Sequence, residues 1–155
     1  MHNNLQVVVF QIDDKKFAVF LHDVQRVIRS VEITSLPSAP YIVSGIIDYE
    51  GKIIPIVNIR KRFGLAQKEI RITDQIVIVS LEKKTIGFVV DQVLSNHEVH
   101  SSEIKETNEI WNGIQLIEGV VKVFEDIVLI CNLGRFFLLD EEKELEEALN
   151  NFSNN

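Results

Sequence analysis

Two stretches of this chain, 69 residues apart, are written on one pattern, and that repetition limits the fold more than any other feature. "VVVFQIDDKKFAVFLHDV" (Val7–Val24) aligns without a gap with "IVIVSLEKKTIGFVVDQV" (Ile76–Val93). Large apolar residues meet large apolar residues, polar residues meet polar ones, and Ala18 meets Gly87. Each copy reads as two strands joined at a charged turn. A second pair follows in the same order: "GIIDYEGKIIPIVNI" (Gly45–Ile59) aligns with "GVVKVFEDIVLICNL" (Gly119–Leu133) at an offset of 74. Gly45 meets Gly119, Ile53 meets Ile127, Ile56 meets Ile130 and Asn58 meets Asn132. The expectation is a duplicated β unit, with copies around residues 7–59 and 76–133 forming two similar lobes, each a small barrel.

Composition agrees with a β protein. Isoleucine (21) and valine (19) make up 40 of 155 residues, while alanine occurs four times. β-branched side chains favour strands and alanine favours helices. At this length the chain makes one ordinary domain or two small lobes sharing a core. Its one cysteine, Cys131, has no partner for an internal disulfide and reads as a buried thiol in an apolar run.

Between the repeated blocks the signals are local. Val24, Val27 and Ile28 fit either a helical turn or a strand. Pro55 cannot donate to a sheet ladder, so its strand is expected to keep one side out of the regular pairing there. Asn58 is placed to cap a short "IRKRF" turn that ends at Gly64. "SLPSAP" (Ser35–Pro40) reads as a rigid loop. Residues 140–155 hold six acids and one base, which leaves the rest of a chain of net charge −7 close to neutral. Leu139, Leu145, Ala148, Leu149 and Phe152 share one stripe of that segment, so it reads as an acidic, amphipathic C-terminal helix.

The usual chemistry is missing. "HEVH" puts His97 and His100 three apart with one residue after the Glu, where a zinc-protease pattern needs two, and His2 and His22 are isolated. A solvated loop is the expectation, with no metal and no cofactor. There is no glycine-rich phosphate cradle and no nucleophile elbow. Arg60, Lys61 and Arg62, with Lys68 and Arg71 nearby, form a basic cluster that reads first as a solvated face. A near-neutral body is a poor platform for a phosphate backbone, so nucleic acid is not the expected partner, and a nucleic-acid-binding barrel is the less favoured alternative. The N-terminus has no signal-peptide pattern and no run is long enough to span a bilayer, so a cytoplasmic protein without membrane insertion is expected. The residues point to a binding protein rather than an enzyme.

From about Val7 to Leu138 the chain resembles the CheW-like family of chemotaxis adaptors. "FQIDDKKFAVFLHDVQRVI" fits the family's opening pattern, Pro40 to Arg60 fit its P-x-x-x-x-G-x-x-N-x-R-G-x-x-x-P-V-V-D-L-R signature, and Gly87, Val90, Asp91 and Val93 fit its second-half element. The resemblance implies a mainly β fold: two five-stranded, SH3-like barrel lobes interlocked in one domain over residues 1–155 and packed around a third, shared core, with short helices and the C-terminal helix. It also implies a non-catalytic adaptor between the cytoplasmic tip of a chemoreceptor and the regulatory domain of the histidine kinase CheA, held at membrane receptor arrays through these partners. The receptor's helical hairpin would lie in an apolar groove carrying Val24, Arg26, Val27, Gly45, Glu50, Gly87 and Val93. The kinase would be held at a barrel end that includes Gly51, Lys52 and Ile53. Three positions depart from the signature: Asp48 stands for its Asn, Glu50 for its Arg and Asn58 for its Asp. The family's Arg commonly faces an acid at the position of Arg26, so an ion pair of exchanged charge is expected between Arg26 and Glu50. These departures leave open an array that serves an output other than flagella.

Overall fold

The computed structural model describes residues 3–82, 84–107 and 115–153; His2 and the last two residues of the acidic segment lie outside them. The first repeated block forms β1 (Asn4–Ile12) and β2 (Lys15–Phe20), and a 3-10 turn at Leu21–Asp23 leads to β3 (Val24–Arg29). β4 (Val43–Tyr49), β5 (Lys52–Val57) and the short α1 (Ile59–Phe63) complete the first half. The second half repeats the series with β6 (Gln75–Leu81), β7 (Lys84–Val90), β8 (Gln92–His100), a two-residue β9 (Lys105–Glu106), β10 (Ile117–Val123) and β11 (Asp126–Cys131). It ends in α2 (Leu139–Ser153).

The strands form two sheets, in the orders β8-β1-β2-β11-β10-β9 and β3-β6-β7-β5-β4. Apart from the added β9, the two orders are the same once each strand is replaced by its repeat counterpart. The hairpins are exchanged: β1–β2 of the first half pairs with β11 of the second, and β6–β7 of the second pairs with β5 of the first. Neither lobe is therefore one contiguous repeat. Register is preserved pair for pair. Val9↔Ala18 in one hairpin corresponds to Ile78↔Gly87 in the other, and Gly45↔Ile56 to Gly119↔Ile130. Even the bulges correspond: the shift between Val24 and Arg26 against β6 reappears between Val93 and Ser95 against β1.

The exchange explains the near-continuous apolar runs. Along β1, Val7 and Val9 face the interior of one lobe, while Val8, Phe10 and Ile12 face a core shared by both. Along β6, Ile76 and Ile78 fill the other lobe, while Val77 and Val79 join the shared core. A strand buried on both faces cannot show simple alternation. Phe10, Phe17, Phe63, Phe88 and Phe136 lie at the centre of the shared core, Phe10 stacked on Phe17 with ring centroids 5.9 Å apart.

Local chemistry sets the ends of the elements. Asn58 Oδ1 accepts from the Lys61 amide at 3.0 Å, and Gly64 closes α1 in the left-handed region at φ 71. β5 lies inside its sheet, yet its ladder to β7 begins at Ile56, just past Pro55. The equivalent ladder between β11 and β2 includes Leu129↔Phe17, because Leu129 has the N–H that Pro55 lacks. Val24–Ile28 are strand, not helix, since pairing with β6 overrides a weak local preference. α2 packs through Leu145 and Ala148, and its start is tied to α1 by the ion pair of Arg62 with Glu141, whose Oε1 also accepts from the Leu138 amide at 2.7 Å.

The two lobe interiors differ by a compensated substitution. Val7, Val9, Val121 and Val128 in one stand where Ile76, Ile78, Ile47 and Ile54 stand in the other. The lobe with the larger residues has Gly87 where its twin has Ala18. A Cβ on Gly87 would meet Ile56 Cδ1 at 2.9 Å and Ile76 Cγ2 at 3.1 Å. Gly87→Ala is expected to lose about 1–3 kcal/mol in urea unfolding by overpacking. Adding Ile56→Val removes the opposing methyl, so the double variant should be more stable than the summed single losses by about 1 kcal/mol. Additive losses would show that Gly87 is not held against Ile56.

Candidate functional site

The chain passes from one sheet to the other at Leu21–Asp23 and again at Asp91, and the first residue or two of the strand after each crossing carry Val24 and Val93. These two are repeat counterparts. Both are half-buried against the shared core, at the junction of the lobes, as is Val27. The bulge that follows each valine re-aims the next side chains. Arg26, just past its bulge, is exposed, with its guanidinium carbon 5.8 Å from the centre of the Tyr49 ring.

β4 and β5 are joined by Glu50 and Gly51, both at positive φ (51 and 85), as a two-residue turn of right-twisting strands requires. Asp48 Oδ1 accepts from the Gly51 amide at 3.0 Å, a bond that steadies this turn. Glu50 points from the tip and is exposed. The expected pair of Arg26 and Glu50 is absent from the ion pairs of the described residues, and Arg26 lies over Tyr49 instead. Glu50 sits exposed at the tip of the two-residue turn, while Arg26 packs on the ring of Tyr49, inside the preceding strand.

The two groove glycines are not surface groups. Gly45, at φ 155, lets the backbone of Thr34 approach so closely that a Cβ would lie 2.2 Å from the Thr34 carbonyl oxygen. Gly87 is buried in the middle of its sheet.

Gly51, Lys52 and Ile53 sit together at one barrel end, where Ile53 is 43% exposed. The twin lobe has a matching end that sequence reading missed. Phe124 and Ile127, the counterparts of Glu50 and Ile53, are 83% and 60% exposed. Phe124 holds φ 48, a conformation that bulky residues avoid, with its ring edge-on to His97 at 4.8 Å. The offset of 74 was the available signal, since it places Ile127 on Ile53.

Apart from the exposed Lys68, the basic cluster is already engaged. Arg60 donates to Asp13 and Asp91, each at 3.0 Å, and Arg71 lies 3.2 Å from Asp74. Lys61 Nζ sits 4.0 Å from the Tyr41 ring centre. Arg60 is only 12% exposed and pins the β1–β2 turn to the crossing at Asp91, whose carboxylate also accepts from the Asp13 amide. His97 and His100 lie on β8 rather than in a loop, and no group of metal-ligating side chains occurs among the described residues. Cys131 is buried, and desolvation, with the nearby Glu118 adding to it, pushes its thiol far above the usual range. Both favour the neutral thiol, as for a cysteine of the core.

Comparison with known proteins agrees on one family. The model of the CheW-like domain matches residues 6–141. The chemotaxis protein CheW of Treponema pallidum is 25% identical over 151 residues, covering 94% of this chain and 87% of that protein. The CheW of Thermotoga maritima is 28% identical over 144 residues, covering 93% of each. In structure, the scaffolding protein TtCheW of Thermoanaerobacter tengcongensis matches with a TM-score of 0.82 at 26% identity, covering 90% of this chain and 96% of that one.

The Arg60 clasp can be tested alone. Arg60→Met strands two acids at the lobe junction and is expected to lower unfolding stability by about 1–2 kcal/mol, a loss limited by the partial exposure of both. Asp91→Asn in the same chain should recover part of it in a double-mutant cycle, and a stability equal to wild type for Arg60→Met would show that the clasp contributes nothing.

Proposed function

The chain belongs to the CheW-like domain family, and from that premise we propose that it is a non-catalytic adaptor joining the cytoplasmic tip of a chemoreceptor to the regulatory domain of the histidine kinase CheA. The observation that carries this reading is the extent of the family match, which spans strands of both lobes and the junction between them. The chain acts as one domain of interlocked lobes, with the acidic C-terminal helix as its appendage. The receptor's helical hairpin lies along the junction, against Val24, Val27 and Val93, with Arg26 and Glu50 as the charges it meets. Gly45 and Gly87 shape that groove from behind. The kinase docks at a barrel end on Gly51, Lys52 and Ile53, and the exposed Phe124 and Ile127 make the other barrel end a second apolar docking face.

A second reading keeps the adaptor and changes the output. Asp48, Glu50 and Asn58 depart from the family signature at the turn and at the cap of α1, so a non-flagellar chemosensory pathway with its own receptors is served. Nucleic-acid binding is disfavoured, because Arg60, Arg62 and Arg71 are spent on internal acids. No helix among the described residues is long and apolar enough to cross a membrane, and the protein reaches membrane receptor arrays in the cytoplasm through its partners.

Calorimetry with the cognate CheA regulatory domain is expected to give one-to-one binding that Ile53→Asp weakens by about tenfold or more, as for a buried apolar anchor. Docking of this kind depends weakly on salt, unlike binding to phosphates. Arg26→Glu should leave that heat unchanged while reducing receptor-dependent kinase control. No heat and no co-sedimenting complex with receptor and kinase would remove the main support for the adaptor.

A further inference from the structure

The clasp made by Arg60 has a twin site from which the arginine is missing. The offset of 74 continues past the paired hairpins, so Asn58 corresponds to Asn132, Ile59 to Leu133 and Arg60 to Gly134. Ser44 and Val57, which line the cleft at Arg60, correspond to Glu118 and Cys131, which line the cleft at Gly134. The acids have counterparts as well. Asp13 holds the β1–β2 turn at φ 57, and Glu82 holds the β6–β7 turn at φ 45. Asp91 marks one crossing between sheets, and at the other His22 takes its place with Asp23 beside it. The same cleft thus occurs twice. Closed by Arg60 and by residues 67–70, the first copy keeps about 50 Å³ open; where Gly134 stands, the volume is about 520 Å³.

Among the described residues, five carboxylates line the open copy (Asp23, Glu82, Glu118, Glu142 and Glu146) against one base, Lys84. Lys84 is committed to the α2 side, 3.7 Å from Glu142 and 5.6 Å from the Phe137 ring centre. The carboxyl of Glu118 is held above its ordinary range, chiefly by burial and then by Asp23, with His22 opposing. Among the described residues Glu82 makes no ion pair, whereas its counterpart Asp13 is paired with Arg60. Phe20, Leu133 and Phe137 supply apolar walls of the kind an arginine stem packs against.

We infer that the cleft beside Gly134 receives an arginine side chain from a polypeptide partner, its guanidinium lying between Glu82 and Asp23 as Arg60 lies between Asp13 and Asp91. The volume is many times that of a lone cation, and the combination of a carboxylate fork with apolar walls suits the planar, weakly hydrated guanidinium better than an ammonium. The cleft adjoins the barrel end, sharing Lys84 and Glu146 with the pocket lined by Lys52 and Ile53, but arginine binding is measured without kinase or receptor and so stands or falls independently of those assignments.

Two measurements test it. A Cβ on Gly134 would meet only Asn132 Oδ1, at 3.7 Å, so the backbone accepts a side chain there. Gly134→Arg supplies the missing group within the chain and is expected to melt about 2–4 °C above Gly134→Met, which adds similar bulk without charge. An equal or lower melting point for the arginine variant overturns the inference. In NMR titrations of the wild-type protein, acetyl-Ala-Arg-Ala-amide should cause saturating shifts at Asp23, Glu82, Glu118 and Gly134. Glu82→Gln should weaken that binding by about tenfold and Gly134→Arg should abolish it. The neutral citrulline peptide should cause none of these shifts, and the lysine peptide should bind more weakly. No saturating response to the arginine peptide, or an equal response to the citrulline or lysine peptide, refutes an arginine site.

Discussion

The hairpins β1–β2 and β6–β7 are buried on both faces, and the rest of the molecule depends on that double burial. One face of each fills its own lobe and the other joins the shared core of Phe10, Phe17, Phe88 and Phe136. Because the hairpins are exchanged between halves, neither repeat closes a barrel with its own strands. The lobes are held by chain crossings and by a common apolar core rather than by a docked surface. Apolar burial of this kind is worth roughly 25 cal/mol per Å² removed from water, far more than the surface ion pairs contribute. The junction is therefore firm, and Val24 and Val93, placed at the two crossings, are presented at fixed separation.

Against this repeated frame, the differences between copies mark where the two halves do unlike work. Pro55 shortens one ladder between the two halves where Leu129 extends the other. One turn tip presents a charged Glu50 and its twin an exposed aromatic, Phe124. One cleft is filled by Arg60 and its twin is left open by Gly134. None of these changes disturbs the register: Glu50 and Phe124 lie at turns, Arg60 and Gly134 just past the end of a strand, and Pro55 inside β5 keeps its pairing with Ile46. A duplicated fold can in this way keep one set of packing rules and still offer distinct surfaces at its two ends.

Much of this was legible in the chain. The ungapped blocks announced both hairpins and their equivalence, down to the pairing of Ala18 with Gly87. Asn58 and Gly64 announced the short helix, and the spacing of Leu145, Ala148 and Leu149 announced the last one. These are local signals, set by side-chain period, by backbone preferences at turns and by the donor that proline lacks. The candidate site was legible in part. Of the groove residues that the resemblance names, Val24, Val27 and Val93 lie half-buried at the junction, while Gly45 and Gly87 are buried within one sheet.

What the sequence by itself determined was the strand content, the duplication and the register within each hairpin, because those follow from neighbours a few residues apart. Which hairpin pairs with which was decided only in three dimensions, since either partner offers the same apolar pattern and both exchanges satisfy it locally. The same holds for charges. Arg26 and Glu50 are opposite in sign, yet Glu50 lies exposed at its turn and Arg26 lies over Tyr49, with no ion pair between them. Arg60 finds Asp13 and Asp91 because the exchange brings a turn of one half to a crossing of the other. A charge's partner is fixed by where folding puts two side chains, and no spacing along the chain encodes that.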